Sequence, residues 1–508
     1  MVKPWKKIAV TMCAAALLTG SLAGCGGNQT ASIDPDNPKV TVMTKSFNAD
    51  PAPADSPVML ELEKYLGCDL DITWVPSSSY DEKVTAAMGA GEYPMAMLVG
   101  SQSSSVIQNS RGGTFWEITD KFNDSAKFPN LSQANPTINH NISIDGKVYG
   151  VYRGRTLGRS GISIRKDWLK NVNMEMPETV DDLYQVLKAF KEKDPDQNGQ
   201  DDTFGMIVTN YSGPLDNLIV WMGAPNKWGL NEQTKELEPS FMFDEYFDAL
   251  NFMKKCYDEK LINQDMATYD STKWDEQFLS SKAGVIIDVA DRARRLSQNI
   301  ASINPKAEVD VIGYVKKDAS SEGRVLPTTG YDGYYVFPKQ AVHTEADLDF
   351  VLGVLDKAND QEAQNLTSYG IEGRNYEINE EGYAVKSTDA AMTKEYADLN
   401  QFIPGIVTQE LKLQYTTDVA KTVEEVYLDN EKYAVANPAE PYVSDTYSTK
   451  GPQLDAIIAE ANTKYIVGQI SADDWKKEVE RWKSNGGTKV IEEINKAYQA
   501  DESVKKAK

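Results

Sequence analysis

The chain has 508 residues, and its 76 acidic side chains outnumber 53 basic ones for a net charge of −23. At roughly 150 residues per domain, that length allows two or three domains and a large core. The acidic excess argues against nucleic acid and against electrostatic docking on an anionic membrane, and two histidines leave little for Ser-His-Asp or Cys-His chemistry. Neither His140 nor His343 sits in a hydrolase motif, and no HExxH or CxxC occurs. A carboxylate-pair glycosidase stays open, because acids are plentiful.

The start is basic (Lys3, Lys6, Lys7), followed by an apolar run from Ile8 to Leu18. That run is shorter than the roughly 20 residues a membrane span needs and reads as a secretory signal. Leu22-Ala23-Gly24-Cys25 closes it with the pattern of a bacterial lipoprotein signal. In that pattern the Cys25 thiol takes a diacylglycerol, the chain is cut before it, and the new amine can be acylated, as by palmitate. Two or more acyl chains hold a protein stably on a membrane. Residues 1–24 are therefore expected to be the signal peptide and 25–37 a lipidated flexible leash, small, polar and Pro-containing.

Lys39–Met43 alternates as a strand. Ser56-Pro57 then supplies an N-cap and an N1 proline for a helix carrying Leu60, Leu62, Tyr65 and Leu66, ended by Gly67. Asp69–Trp74 reads as a strand, Tyr80–Gly89 as a helix and Met95–Val99 as a strand, the alternation of a parallel α/β sheet. Beyond Gly150 helices dominate. Thr179 with Asp182, Thr344 with Asp347 and Ser471 with Asp474 each read as capping boxes. Tyr246–Glu259 is a further helix, while Ala283–Val289 and Glu308–Val315 are strands. Trp475 and Trp482 share one helical face and read as core; Trp168, opening a helix, reads as packing. Cys68 and Cys256 could pair in an oxidising compartment, although two cysteines make no framework.

Five stretches carry a resemblance: Tyr80–Pro94 (YDEKVTAAMGAGEYP), Asp145–Gly150 (DGKVYG), Ile164–Leu169 (IRKDWL) running into MPETVDDLYQVLKAFK, Phe278–Ile287 (FLSSKAGVII) and Tyr369–Tyr376 (YGIEGRNY). They resemble the family 1 extracellular solute-binding proteins, lipoproteins that feed ABC sugar importers, and in particular a long Gram-positive branch similar to alginate-binding proteins. Met95 stands where relatives carry an acid, and Asn375 where they often carry histidine. The resemblance implies an α/β fold of two lobes joined by two or three crossing strands, with ligand in the cleft and closure by hinge rotation. It places one lobe at about 38–150 plus 285–330, and the other at about 155–283 plus 335–508.

Asp194-Pro195-Asp196-Gln197-Asn198-Gly199-Gln200-Asp201-Asp202 has the spacing of a calcium loop. Oxygen donors fall at positions 1, 3, 5 and 9 (Asp194, Asp196, Asn198, Asp202), with Gln200 offering its backbone carbonyl and Gly199 at the sharp turn. The bidentate glutamate of an EF-hand is missing, since position 12 is Gly205. Calcium here would be structural.

Sugar recognition pairs aromatic faces with planar polar groups. In irregular polar stretches near the expected lobe crossings, the resemblance implies Trp116, Tyr152, Arg153, Trp221, Trp274, Tyr331 and Asp332 as ligand contacts, with packing the equal alternative for each. Arg292 could meet an anionic sugar, although a solvated helix face is the plainer reading. The resemblance implies a monomeric binding lipoprotein, not an enzyme, on the extracellular face of a cell membrane. It would capture an oligosaccharide and present it to ABC permease subunits. A lipoprotein hydrolase or lyase acting on carbohydrate is the alternative from another class, and a lipid-anchored adhesion or sensory module a third.

Overall fold

A computed structural model describes residues 33–48, 50–414 and 417–501. The signal peptide, Cys25 and most of the leash lie outside the described residues.

The chain builds two lobes by passing between them three times. Lobe 1 begins with β1 (Lys39–Ser46), β2 (Asp69–Pro76), β3 (Ala96–Val99) and β4 (Gly150–Gly154). A short passage leads into lobe 2 for β5 (Ser160–Arg165), β6 (Phe204–Met206), a hairpin of β7 (Trp228–Asn231) and β8 (Glu236–Pro239), β9 (Ala283–Val289) and β10 (Val309–Ile312). The chain returns to lobe 1 for β11 (Tyr331–Val336) and a hairpin of β12 (Tyr376–Ile378) and β13 (Ala384–Lys386). It enters lobe 2 for the last time ahead of the helix Asp418–Glu431.

The lobe 1 sheet has the order β2-β1-β3-β11-β4 and the lobe 2 sheet β10-β5-β9-β6. β1 runs parallel to β2 and β3, as the strand-helix alternation requires, while β11 is antiparallel to both its neighbours. In lobe 1, Val42 and Leu98 pack with Val58 and Leu62 of the helix Pro57–Leu66 and with Leu352 of the helix Glu345–Lys357. Lobe 2 buries both faces of its sheet. Val285 and Ile287 face a core that includes Trp168, Phe190 and Trp475, while Ile286 and Ile207 face one that includes Trp274 and Leu296. Alternation along a strand sends neighbours to opposite faces, and both faces are apolar here.

The capping boxes form: Thr179, Thr344 and Ser471 each accept from an N3 backbone N–H, and Asp182, Asp347 and Asp474 each accept from the cap. Ser56 caps its helix by accepting the Met59 N–H alone, and Gly67 ends it in the left-handed conformation, φ 82°. Trp475 and Trp482 lie in the lobe 2 core. Trp168 is fully buried, its ring edge-on to Phe190 at 5.3 Å.

Two expectations are corrected. Residues 285–330 do not join lobe 1, because β9 and β10 both hydrogen-bond to β5 in the lobe 2 sheet. Conversely, the chain from Val336 to Ile403 packs into the lobe 1 core, so only the last part of 335–508 belongs to lobe 2. Cys68 and Cys256 are both free, buried in the cores of different lobes, and cannot pair. Burial pushes each thiol up to about 12.

Candidate functional site

Register decides which sheet edges face the cleft. Gly154 ends β4 and Ser160 begins β5. At about 3.3–3.6 Å per residue, so short a passage keeps the edges carrying these two residues close together. On the lobe 1 edge, Gly154 pairs with Tyr331 and Val99 with Tyr334, which places Ser46, Gly100 and Asp332 there as well. On the lobe 2 edge, Ser160 pairs with Val289, and parallel β6 runs toward the same edge, its ladder ending with Met206 opposite Val285. The carboxyl ends of the parallel strands thus point at the cleft, where ligands sit in open α/β sheets. The crossings are laced together by Arg155 N–H to the Gly330 carbonyl, 2.9 Å, and Thr328 N–H to the Leu157 carbonyl, 3.0 Å.

The lobe 1 edge is organised on one carboxylate. Asp332 accepts from Lys45 Nζ at 3.1 Å, Arg155 Nη2 at 3.0 Å and Arg153 Nη2. The other Arg153 terminal nitrogen donates to Gln401, 3.0 Å to its carbonyl and 2.7 Å to its side chain. Burial works to raise the Asp332 carboxyl, but Arg153, Lys45 and Arg155 outweigh it and hold the group down to about 2. Burial, then the adjacent Arg153 charge, brings Arg155 down to about 10. Three cations thus gather on one carboxylate at this edge. Beyond β1, Phe47 is 58% exposed, and its loop is held by Asp398, which accepts the Phe47 and Asn48 N–H groups at 3.2 and 3.0 Å.

The lobe 2 edge is organised on rings. Tyr211, 51% exposed, meets Trp274 edge-on at 5.9 Å, and the Arg292 guanidinium covers Trp274 at 4.4 Å. Asp288 accepts from Arg292 Nε at 2.7 Å, and Asp275 pairs with the same guanidinium. Arg292 is therefore a buttress behind a tryptophan rather than a solvated face.

Among the residues singled out from sequence, the structure brings Arg153, Asp332 and Tyr331 to the lobe 1 edge. Tyr152 projects to the other side of β4, accepts the Asn135 N–H at 2.9 Å, and lines a hinge-side cavity of about 540 Å³ with Arg155 and Gln364. Trp274 lies near the cleft but is buried, its Nε1 donating to the Ile207 carbonyl at 3.1 Å. Trp116 sits at the far end of β11 and donates to the Val342 carbonyl at 2.8 Å; Trp221 lies in the lobe 2 core. Neither wall of the cleft includes those two. Asn375 is fully buried and clamps its own loop, donating to Met392 and Glu395 and accepting from Ile371, so its place in the chain is structural. Phe47 and Tyr211 were missed. The available signal was an aromatic beside Asn in an irregular stretch just past a strand.

The 194–202 loop is folded as a tight turn, with Asp194, Gln197 and Gly199 left-handed. Asp194 accepts the Asn198 and Gly199 N–H groups at 3.1 and 3.0 Å. Asn198 Nδ2 occupies the middle of the turn, 2.8 Å from Asp196 and 3.3 Å from Asp202, and Asp202 also pairs with Lys282. Among the described residues, no three carboxylates, imidazoles or thiols are grouped closely enough to hold a metal by themselves.

Residues 45–364 match the sequence profile of the bacterial extracellular solute-binding proteins. The chain belongs to that family. Lipoprotein LipO of Bacillus subtilis (strain 168) is 41% identical over 94% of this chain and 96% of its own. The polygalacturonan/rhamnogalacturonan-binding protein YtcQ of the same organism is 36% identical over 97% of this chain and 99% of its own. Among solved structures, the alginate-binding protein AlgQ2 without calcium ion superposes with a TM-score of 0.67 over 92% of this chain and 99% of its own, at 18% identity. This solute-binding protein is a receptor and not an enzyme, so the hydrolase or lyase alternative falls. No helix among the described residues is long and apolar enough to cross a membrane.

Proposed function

We propose that the protein captures an oligosaccharide between its lobes and hands the closed, loaded form to the permease subunits of an ABC importer. It would be held outside a Gram-positive membrane by lipid on Cys25, after removal of residues 1–24. The observation that carries this reading is the pair of exposed aromatic rings, Phe47 and Tyr211, on the sheet edges that face the cleft. Large apolar side chains left in water at a hinge are poor for folding and well suited to the C–H faces of sugar rings. The name of YtcQ supports a polygalacturonan- or rhamnogalacturonan-like chain as the source, and Lys45 and Arg155 at the lobe 1 edge suit an acidic sugar.

The 194–202 loop would hold a structural calcium ion. The donor spacing and the turn are already formed; the Asn198 amide would rotate to aim its oxygen inward, and Asp202 would leave Lys282. Calcium would tie the helix Val180–Glu192 to β6.

The test is thermal stability of residues 26–508 against galacturonan, rhamnogalacturonan, fructan and mannan oligosaccharides, with calcium and with chelator. A sugar at 100 times its dissociation constant adds about 2.7 kcal/mol, a shift of a few degrees. A rise with one sugar, recovered uncut, supports the receptor. No rise with any sugar sinks the carbohydrate reading. No difference between calcium and chelator, or none lost in Asp194→Ala, sinks the metal.

A further inference from the structure

Close approaches along the passages between the lobes mark where each passage can bend. In the first, Gly154 donates its N–H to the Pro404 carbonyl at 2.6 Å, and a Cβ on it would fall 2.2 Å from the Gly405 carbonyl oxygen. The first and third passages are therefore fastened together at the lobe 1 end. From Gly158 onward the first passage is fastened again, now to lobe 2. The Asn430 amide nitrogen donates to the Gly158 and Ser160 carbonyls at 2.8 and 2.7 Å. Arg159 grips Asp291 through Nε and Nη2 at 3.0 and 2.9 Å, and Asp291 also accepts from the Tyr427 hydroxyl at 2.8 Å. Arg155, Thr156 and Leu157 are what lies between the two fastenings. The second passage follows the same plan. Val325 donates to the Tyr433 carbonyl at 2.9 Å and accepts the Val435 N–H at 3.0 Å, while Thr328 and Gly330 are tied to Leu157 and Arg155.

Tyr427, Asn430, Tyr433 and Val435 belong to the end of the helix Asp418–Glu431 and the residues just after it. The third passage leads into that helix, so one short stretch grips the lobe 2 ends of the other two. Asn430 is fully buried at its centre, in a slot that two glycines leave open. A Cβ on Gly158 would fall 2.7 Å from Asn430 Cβ, and one on Gly313 would fall 1.9 Å from its Oδ1. The β5–β10 ladder ends with Ile162 opposite Ile312, so toward the passage β5 runs out of strand on this side, and the Ser160 carbonyl takes the amide instead. Among the described residues, Asn430 Oδ1 has no hydrogen-bond partner. A buried acceptor without a donor is unfavourable, so packing alone does not account for an amide here. The two backbone carbonyls it holds do.

We propose that Asn430 is the positioning residue of the hinge. By holding Gly158 and Ser160 it confines bending to residues 155–157 and the facing 327–330, and so fixes the path along which the lobes close. It acts through the backbone it holds. Without it the first passage bends over 155–160, and the lobes sample a wider range of separations. The proposal concerns the hinge alone and holds whatever ligand the cleft takes.

The test places spin labels on Lys64→Cys in lobe 1 and Lys235→Cys in lobe 2, both exposed positions, in the lipid-free protein, whose own Cys68 and Cys256 are buried. Pulsed electron resonance then reads the distribution of interlobe distances without ligand. Asn430→Ala is expected to broaden that distribution by about 40%, since spread grows as the root of a bendable length that doubles from 155–157 to 155–160. Asn430→Asp keeps the size of the side chain and loses the amide donor, so it should broaden the distribution as well. Val423→Ala, in the apolar core on the same helix, should lower the thermal midpoint and leave the width unchanged. That comparison separates the hinge from helix stability. Wild-type width in the Asn430 variants would overturn the proposal, and so would equal broadening in Val423→Ala. If Asn430→Ala does not fold, the filled slot of Asn430→Asp carries the same decision.

Discussion

Lobe 1 borders the cleft with Lys45, Arg153 and Arg155 gathered on Asp332, whereas lobe 2 faces it with Tyr211, set edge-on against the buried Trp274, which Arg292 covers. Both edges belong to α/β sheets of similar construction, but the first is ordered by charge and the second by ring contact backed by the ion pairs of Arg292 with Asp288 and Asp275. Charge acts over distance and answers to salt and pH; ring packing acts only at contact and is indifferent to both. A receptor built this way can hold a sugar by its face on one side and by its polar groups on the other.

The largest effects should separate the two kinds of order. Trp274→Ala removes a 2% exposed ring and should cost about 3–5 kcal/mol of stability. Asp332→Ala leaves three cations without their carboxylate and should cost about 3 kcal/mol. In urea unfolding, raised salt should shrink the Asp332 loss and leave the Trp274 loss unchanged; equal salt responses would break the contrast.

Acid sharpens the same difference. Asp332 is held down to about 2 in the folded state, below the ordinary carboxylate value near 4. A depressed carboxyl contributes stability that is complete above its unfolded value and lost as pH falls through its folded one. The wild type should lose this contribution between about pH 4 and pH 2, and Asp332→Asn should be flatter in that window. A variant with the wild-type acid limb would mean that Asp332 contributes nothing there.

Smaller effects should not distinguish the lobes. Thr344→Ala in lobe 1 and Ser471→Ala in lobe 2 each remove a reciprocal cap and should each cost about 1 kcal/mol. Smallest of all, a reductant should leave the thermal midpoint unmoved, because Cys68 and Cys256 lie in different cores and share no bond.

Much of the local structure was legible because its causes are local. The capping boxes at Thr179, Thr344 and Ser471 need only residues three apart, and the alternation in β1, β2 and β9 needs only neighbours. Arg153 and Asp332 were legible as residues near the crossings, although Arg153 is fully buried behind Asp332. Their ion pair was not, since 179 positions separate them. Trp221 and Trp116 misled for different reasons: tryptophan suits a sugar face and a core equally well, and Trp221 is buried in the core, whereas half-buried Trp116 lies at the end of β11 away from the cleft.

By itself, the sequence determined the family, the α/β class, the helix ends and the calcium-loop spacing, all of which rest on short-range pattern. Tertiary structure alone decided which lobe each strand joins and which rings face the cleft. A strand's sheet is set by the ladder it finds, and β9 finds β5 more than 120 residues back in the chain, while β11 finds β3 and β4 across the first lobe 2 segment. Those pairings are non-local hydrogen bonds and buried faces, and no window of residues contains both partners.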